Sequence, residues 1–591
     1  MKCKKYLNFL TEQFSKFSNN KKVLILCVFV GIIAGLSAVI LKNAVHYTQT
    51  WLQNIFREEQ FNYLYLAFPI IGITLTVLFI KFFVKDDLSH GVSKILYSIA
   101  KNDGKLKRHH TYSSMITSTL TVGFGGSVGL EAPITLTGSA IGSQLGNFFK
   151  LNTKSVITLV ACGSTAAVAA IFNAPIAGVV FAIEVLMLDL TISSLMPLLV
   201  SAVTGTSISY IILGRSLMFS HITIPNFEMG NLPIYLILGV FTGLYAVYFM
   251  RTSRWIERRM AKIKTKFLRL LIGGILLSVL IFFFPSFYGE GYDAIDAILQ
   301  KNMHKLFINS PFYWCQYQEY FLLLFLFLLL MLKTLATAFT TGAGGIGGVF
   351  APSLFLGGIA GCLVATACNT LFDWELSVLS FTLAGMVGVM GSIMKAPLTA
   401  VFLIAEISGG YQLFLPLIIT VVGSYAVFYP FEKYSVYTKS LAEKGYLITH
   451  HKDKHALSKL NVNNLIENNF VTLPPDATLR NLVDAIANST RNIFPIVDKE
   501  KNFYGIIVLD DVRKIIFEPE QYDKISAKDL SFLPDISIHP DELVVDVAEK
   551  FKKTDKYNML VLDENNKYHG FISRANLFSN YREIVEEISE D

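Results

Sequence analysis

Glu131 is an ionisable residue inside an apolar, glycine-rich stretch, GGSVGLEAP (125–133). Charge is expensive in such surroundings, so a residue kept there is functional by default. As a carboxylate it imitates a small anion; protonated, it loses its attraction to an anion site and can swing away. The plainer reading is a helix-capping glutamate. Glu184 and Glu406 also lie in apolar sequence, each nine residues beyond the proline of an Ala-Pro pair (Ala174-Pro175 and Ala396-Pro397). At matching positions on two helices they read as structural hydrogen-bonding groups. Lys395, next to the second pair, reads as an interfacial lysine that snorkels. The sequence has no HExxH, no paired-aspartate motif and no CxxC, and its six cysteines lie mostly in apolar sequence. An intramembrane enzyme, a metal centre and a disulfide framework are therefore disfavoured.

The elements that must position Glu131 are duplicated. GGSVGLEAPITLTGSAIG (125–142) and GGIGGVFAPSLFLGGIAG (344–361) share the pattern G-G-x-x-G-x-x-A-P-x-x-x-x-G-x-x-x-G at an offset of 219. The two Ala-Pro/Glu pairs match at an offset of 222. The sequence thus predicts a tandem of two similar halves, the usual plan of transporters that hold substrate near the bilayer midplane on broken helices. Glycine lets the backbone leave a helix, and proline suits the first turn of a new one. Two helices starting inside the membrane would aim unpaired N–H groups and positive dipole ends at one point, an anion site without a buried lysine. Taken singly, either glycine motif is also compatible with simple close helix packing.

Composition agrees with a polytopic membrane protein. Of 591 residues, 52% are apolar and only 16% charged, with a mean hydropathy of +0.48; soluble chains carry about 25% charged residues. Charge-free runs include Val23–Leu41, Phe61–Ile80, Leu190–Leu213, Asn231–Met250 and Phe321–Leu332, and about 20 apolar residues span a bilayer core. The first run has no small-residue cleavage site and reads as a retained helix. Residues 1–22 carry six lysines against one acid, 101–110 four basic against one acidic, and 251–270 eight against one. The Gly289–Lys305 loop is balanced to acidic. The positive-inside rule puts the basic segments and the N-terminus in the cytoplasm; because these charges flank spans, a nucleic-acid patch is disfavoured.

Near residue 446 the texture changes to that of a soluble domain. His450, His451 and His455 fall in the joining segment and read as a solvated linker. Beyond it PIVDKEKNFYGIIVLDD (495–511) and VLDENNKYHGFISRAN (561–576) each place a glycine seven residues after an aspartate, at an offset of 65. Each predicts strand, tight turn, strand, helix, preceded by an amphipathic helix.

Over its whole length the chain resembles the CLC family of chloride channels and chloride/proton antiporters, with a C-terminal pair of CBS domains. GLEAP (129–133) is similar to the family's G-[KR]-E-G-P motif, and GGVFAP (347–352) to G-x-F-x-P. FNAPIAGVVFAIE (172–184), MKAPLTAVFLIAE (394–406) and VYTKSLAEKG (436–445) resemble further family segments. The resemblance implies that Glu131 gates the anion path. It implies anion contacts at His90, Gly91, Gly129, Leu130, Gly348, Val349, Phe350, Ala351 and Tyr437. Three departures stand out. His90 replaces the serine of the family's first anion motif, which also lacks its proline here. Leu130 and Ala132 replace a basic residue and a glycine. Val185 stands where proton-coupled members often carry an inner glutamate, which favours uncoupled or loosely coupled conduction, with antiport as the alternative. In the CBS pair the family's nucleotide pattern is split: the first repeat keeps Asp511, with Val508 in the hydroxyl position, and the second keeps Ser573, with Asn576 in the aspartate position.

The expected fold is a polytopic all-α membrane protein with two inverted repeats and broken helices, followed by an α/β CBS pair. The expected divisions are a cytoplasmic segment (1–22), a transmembrane domain (23–446, halves about 23–230 and 231–446), a linker (447–456) and CBS domains at 457–527 and 528–591. The expected function is chloride transport by a homodimer in the cell membrane, with the N-terminus and CBS domains cytoplasmic. Expected partners are chloride or other small anions, protons and lipid, with no nucleic acid; no cofactor is required, and the CBS pair is a candidate site for an adenine nucleotide. A membrane-anchored nucleotide sensor is the alternative of another class.

Overall fold

The computed structural model describes residues 18–54, 63–88, 91–187, 192–214, 219, 227–443, 457, 460–554 and 556–590. It divides into two compact units at Lys444/Gly445. The 447–456 linker with His450, His451 and His455 lies outside the described residues, as does His90.

The first unit is helical. Its first half contains α1 (Asn19–Gln53), α2 (Phe68–Phe79), α3 (Gly91–Lys101), α4 (Ser113–Gly123), α5 (Glu131–Phe148), α6 (Thr153–Phe172), α7 (Pro175–Glu184) and α8 (Ile192–Leu213). Its second half contains α9 (Leu232–Ala261), α10 (Lys266–Phe283), α11 (Tyr292–Leu299), α12 (Glu319–Ala343), α13 (Phe350–Phe372), α14 (Val378–Met394), α15 (Pro397–Ile407) and α16 (Phe414–Phe428), followed by the short α17 (Lys439–Glu443). Each helix of the first half has its counterpart eight elements later. The packing repeats as well: α5 lies on α6 as α13 lies on α14, and α1 lies on α6 and α8 as α9 lies on α14 and α16.

Local chemistry sets the breaks. Asn173 and Lys395, one residue before each Ala-Pro pair, close α6 and α14 in the left-handed region at φ 57° and 54°. The proline then opens the next helix, where its missing N–H is harmless. Close approach is also duplicated. A Cβ on Gly138 would lie 2.1 Å from the Gly163 carbonyl oxygen, and one on the matching Gly357 2.3 Å from that of Gly385. Backbone contact of this kind is how helices associate where lipid removes the hydrophobic drive.

The halves are joined by a pair of reciprocal caps. The Glu184 carboxylate, ending α7, accepts from the N–H groups of Leu398 (3.0 Å) and Thr399 (2.7 Å) and from the Thr399 hydroxyl (2.7 Å) at the start of α15. Glu406, near the end of α15, accepts from the N–H groups of Ile176 (3.0 Å) and Ala177 (2.8 Å) at the start of α7. Each acid satisfies orphan donors and a positive dipole end of the other half. This is possible only if α7 and α15 run antiparallel, so the repeats are inverted.

Eight helices among the described residues are long and apolar enough to cross a membrane. They include α6, α10 and α13, beyond the charge-free runs of the sequence. Large apolar side chains such as Phe29, Ile40, Val203, Ile211 and Ile237 are exposed, as a lipid-facing surface requires.

The second unit carries α18 (Val462–Leu465), α19 (Leu479–Ala487), β1 (Ile493–Val497), β2 (Phe503–Val508), α20 (Leu509–Val512), β3 (Ser537–Ile538), α21 (Val544–Thr554), β4 (Asn558–Leu562), β5 (Tyr568–Ser573) and α22 (Arg574–Glu590). β1 pairs antiparallel with β2, and β4 is flanked by parallel β3 and antiparallel β5. The strand-turn-strand-helix reading holds in both repeats. Phe470, Val497, Phe503, Leu560 and Phe571 form a core shared between them.

Candidate functional site

Gly129 and Gly348 are equivalent positions in the two glycine motifs, and they bond to each other. The Gly129 N–H donates to the Gly348 carbonyl at 2.8 Å, and the Gly348 N–H to the Gly129 carbonyl at 2.7 Å. Directly after this bridge α5 starts at Glu131 and α13 at Phe350. α3, opening at Gly91, abuts the same place: a Cβ on Gly91 would lie 2.9 Å from the Ala132 carbonyl oxygen, and one on Gly348 2.9 Å from the Ala132 Cβ. Three helix N-termini therefore meet around Glu131 and Ala132. The first N–H groups of a helix have no internal acceptor, and the dipole there favours negative charge.

An acidic side chain stands at this place: Glu131, only 3% exposed. Its Oε1 accepts from the Tyr292 hydroxyl at 2.8 Å. Its Oε2 is buried without a hydrogen-bond partner and lies over Gly129, where a Cβ would be 2.0 Å away. That same point is 3.1 Å from the Ala351 nitrogen, in the first turn of α13. The carboxylate thus covers the glycine bridge and faces the start of the other half's helix, as a bound anion would.

Further along, the Phe350 ring stacks on Phe172 at a centroid distance of 5.1 Å and approaches Phe181 at 6.5 Å. Tyr437, 7% exposed, is held through its backbone: its carbonyl accepts from the Ser93 hydroxyl of α3 at 2.7 Å. Its neighbour Val436 donates to the Ile393 carbonyl at 3.1 Å. Val185, at the C-terminus of α7, is buried.

The expected anion contacts are therefore not all alike. Val349, Phe350 and Ala351 sit at the start of α13, and Gly91 opens α3. The amides of Gly129 and Gly348 are engaged in the bridge, because the two repeats pair there. The Leu130 N–H is engaged too: it donates to Glu290 Oε1 at 3.2 Å.

Glu290, Tyr292 and Lys333 escaped the sequence reading. Lys333, fully buried on α12, points its Nζ at the carbonyls of Phe287 (3.4 Å) and Gly289 (3.5 Å) and stands 4.7 Å from the Phe355 ring centroid. Glu290 and Tyr292 had counted only as part of an acidic loop. A signal existed: Gly289-Glu290-Gly291-Tyr292 precedes a helix as Ser89-His90-Gly91-Val92 does, and α11 is the counterpart of α3.

In the soluble unit, Glu467, Asn469, Arg491, Ser573 and Asn576 line a shallow, open surface pocket of about 480 Å³. The Ser573 hydroxyl bonds to the Glu467 carboxylate and accepts from the Asn576 N–H at 3.1 Å. Asp511 is exposed on α20 and is not among the lining residues.

A two-fold inverted membrane unit with helix N-termini gathered round a carboxylate defines an anion-transport protein of the broken-helix class. The family described as "Voltage gated chloride channel" matches residues 72–429, and the CBS domain matches residues 462–518 and 527–583. The chain belongs to this CLC family of anion transporters. It is 29% identical over 386 residues to the putative chloride channel protein ClcB-like of Ralstonia nicotianae, covering 64% of this chain and 85% of that one. It is 27% identical over 439 residues to the H(+)/Cl(−) exchange transporter ClcA of Vibrio cholerae, covering 70% and 87%. It spans 57% of the length of CLC-e and 61% of CLC-f, both of Arabidopsis thaliana. In fold it is similar to a slow cyanobacterial Cl−/H+ antiporter (TM-score 0.62, 24% identity, covering 73% of this chain and 98% of that one).

Proposed function

We propose that the chain carries chloride, or a comparably small anion, along a path that Glu131 closes and opens. The observation that carries this is the Glu131 carboxylate lying over the Gly129–Gly348 bridge and facing the α13 N-terminus. An ionised glutamate there competes with the permeating ion for the same field; protonated, it is neutral and leaves the field to the ion. Phe350 and Tyr437 line the continuation of the path. Val185, an apolar side chain in the inner-acid position, supports pH-gated conduction that is uncoupled or loosely coupled to protons.

Proton-coupled exchange is the second reading, and the naming of the Vibrio cholerae relative as an H(+)/Cl(−) exchange transporter favours it. One experiment separates the two: purified protein in liposomes with a chloride gradient, a clamped membrane potential and an internal pH probe. Conduction gives chloride flux without sustained proton movement. Uphill proton movement at a fixed ratio, lost in Glu131→Ala, would establish exchange instead. No chloride flux at any pH would refute both.

The protein acts as a homodimer in the cell membrane, each subunit with its own path, with the basic segments, N-terminus and CBS pair in the cytoplasm; the lysine-rich and arginine-rich loops support this orientation. The cavity beside Ser573 and Arg491 is where an adenine nucleotide would bind to the CBS pair.

A further inference from the structure

The Gly289–Tyr292 hook clamps the two residues at which α5 begins. Glu290 takes the Leu130 N–H at 3.2 Å, and Tyr292 takes Glu131 Oε1 at 2.8 Å. Gly289 and Gly291, at φ 63° and 91°, let the chain turn so that both side chains reach α5. A Cβ on Gly291 would meet the Phe355 ring at 2.6 Å, so the tight turn has no room for another residue. Lys333 pins the hook from below through the Phe287 and Gly289 carbonyls.

The charged and titratable groups around Glu290 come from several elements. Glu131 and Asp293 are like charges, Lys42 on α1 and Lys333 on α12 are opposite, and the Tyr292 phenol, bonded to Glu131, is a further titratable neighbour. Neither lysine forms a salt bridge with Glu290 among the described residues. The partner the Glu290 carboxylate does have is a helix-start amide, the kind of donor an anion would use.

We propose that Glu290 is a second proton-operated gate on the same anion path. Ionised, its carboxylate occupies the Leu130 N–H and denies that donor to the anion. When a proton from solvent binds to the carboxylate, the neutral acid is a weaker acceptor, and the amide is released to the entering ion. Two carboxylates in one field do not ionise independently, so Glu131 and Glu290 lose their charge in two linked steps. The inference rests on the reading of Glu131 as the first gate.

The test is chloride efflux from liposomes holding the full-length protein between pH 4 and 8, for wild type, Glu131→Gln, Glu290→Gln and the double variant. Glu131→Gln is expected to lose the main pH step and keep a smaller one, and the double variant to lose both. Glu290→Gln is expected to bind chloride about tenfold more tightly at pH 7.5 by calorimetry, roughly 1.4 kcal/mol, whereas Glu290→Asp keeps the wild-type pH profile. A pH-independent Glu131→Gln together with a wild-type Glu290→Gln profile would reduce Glu290 to a packing group. Should Glu290→Gln fail to fold, proton uptake on chloride binding to wild type decides: two protons per chloride support the second gate, and one overturns it. Wild-type protein without chloride flux would instead remove the first gate, a separate failure.

Discussion

The Tyr292 hydroxyl donates to Glu131 at 2.8 Å although the two residues stand 161 positions apart. This bond fixes one oxygen of the Glu131 carboxylate and leaves the other over Gly129 with no side-chain partner. The carboxylate is therefore tethered by a side chain on one side only. Tyr292→Phe removes the tether to the charged form and leaves the ring in place. Charge-assisted hydrogen bonds contribute about 1.5–3 kcal/mol, and one pH unit corresponds to ~1.4 kcal/mol. The midpoint of pH-activated chloride flux should thus move upward by roughly one unit. A midpoint unmoved in liposome efflux assays would show that the bond does not restrain the gate.

Glu131→Gln imitates a permanently protonated side chain. Chloride flux should be high at neutral pH and lose its main pH dependence, with the protein still monodisperse in detergent. An unchanged pH profile would remove Glu131 from the gate.

Gly129→Ala would place a methyl group 2.0 Å from Glu131 Oε2 and 2.9 Å from the Ala351 Cβ. The carboxylate is the more movable neighbour, since its Oε2 has no bond to lose. The substitution should push the gate aside and raise flux at pH 7 by about tenfold, the equivalent of roughly 1.4 kcal/mol. Flux at the wild-type level in a folded variant would mean that the carboxylate does not block the path.

The reciprocal caps should matter for stability rather than for transport. Glu184→Ala strips three donors at the start of α15, and Glu406→Ala strips two at the start of α7. Leaving buried donors unmatched costs about 1–3 kcal/mol, so both variants should melt earlier in detergent, Glu184→Ala the more so. Wild-type pH dependence of the remaining flux is expected. A Glu184→Ala protein with unaltered melting would show that the cap is dispensable.

In the soluble unit a side-chain bond from Asn502, backed by the Asn502 and Glu500 amides, holds Asp498 below the ordinary aspartate range. Asp563 is held down first by the Lys567 amide, then by Asn565 and His569. Their depressed folded values mean that the stabilisation is full above the unfolded aspartate value of ~3.9. It is lost as pH falls from there through the folded values. Hydrogen exchange at the two hairpins should be flat from pH 8 to about 5, after correction for intrinsic rates, and protection should fall below about pH 4. Asp563→Asn should flatten that decline in the second hairpin only. A decline of wild-type steepness in the variant would assign it to other groups.

Glu131, the doubled glycine motifs and the plan of two similar halves were legible in the sequence because each shows as a pattern along the chain. An acid among glycines and a proline nine residues before a glutamate are determined by neighbours along the chain. The same holds for the aspartate turns at Asp498 and Asp563, whose partners lie no more than six residues away. What those segments touch was decided by tertiary structure. Leu130 stands among the anion contacts that the resemblance implies, and its amide meets Glu290 from 160 residues away. Gly129 and Gly348 likewise turned inward on each other, because inversion brings equivalent backbones face to face. The unusual chemistry of Glu290, Tyr292 and Lys333 had no local mark beyond two glycines. An acid in a loop is ordinarily solvated, and only the packing of α11 on α13 and α14, with the bonds from Glu290 and Tyr292 to the start of α5, puts this one beside Glu131. Sequence specifies which helices break and where. The meeting of their ends, and hence the field an anion would feel, comes from folding one half against the other.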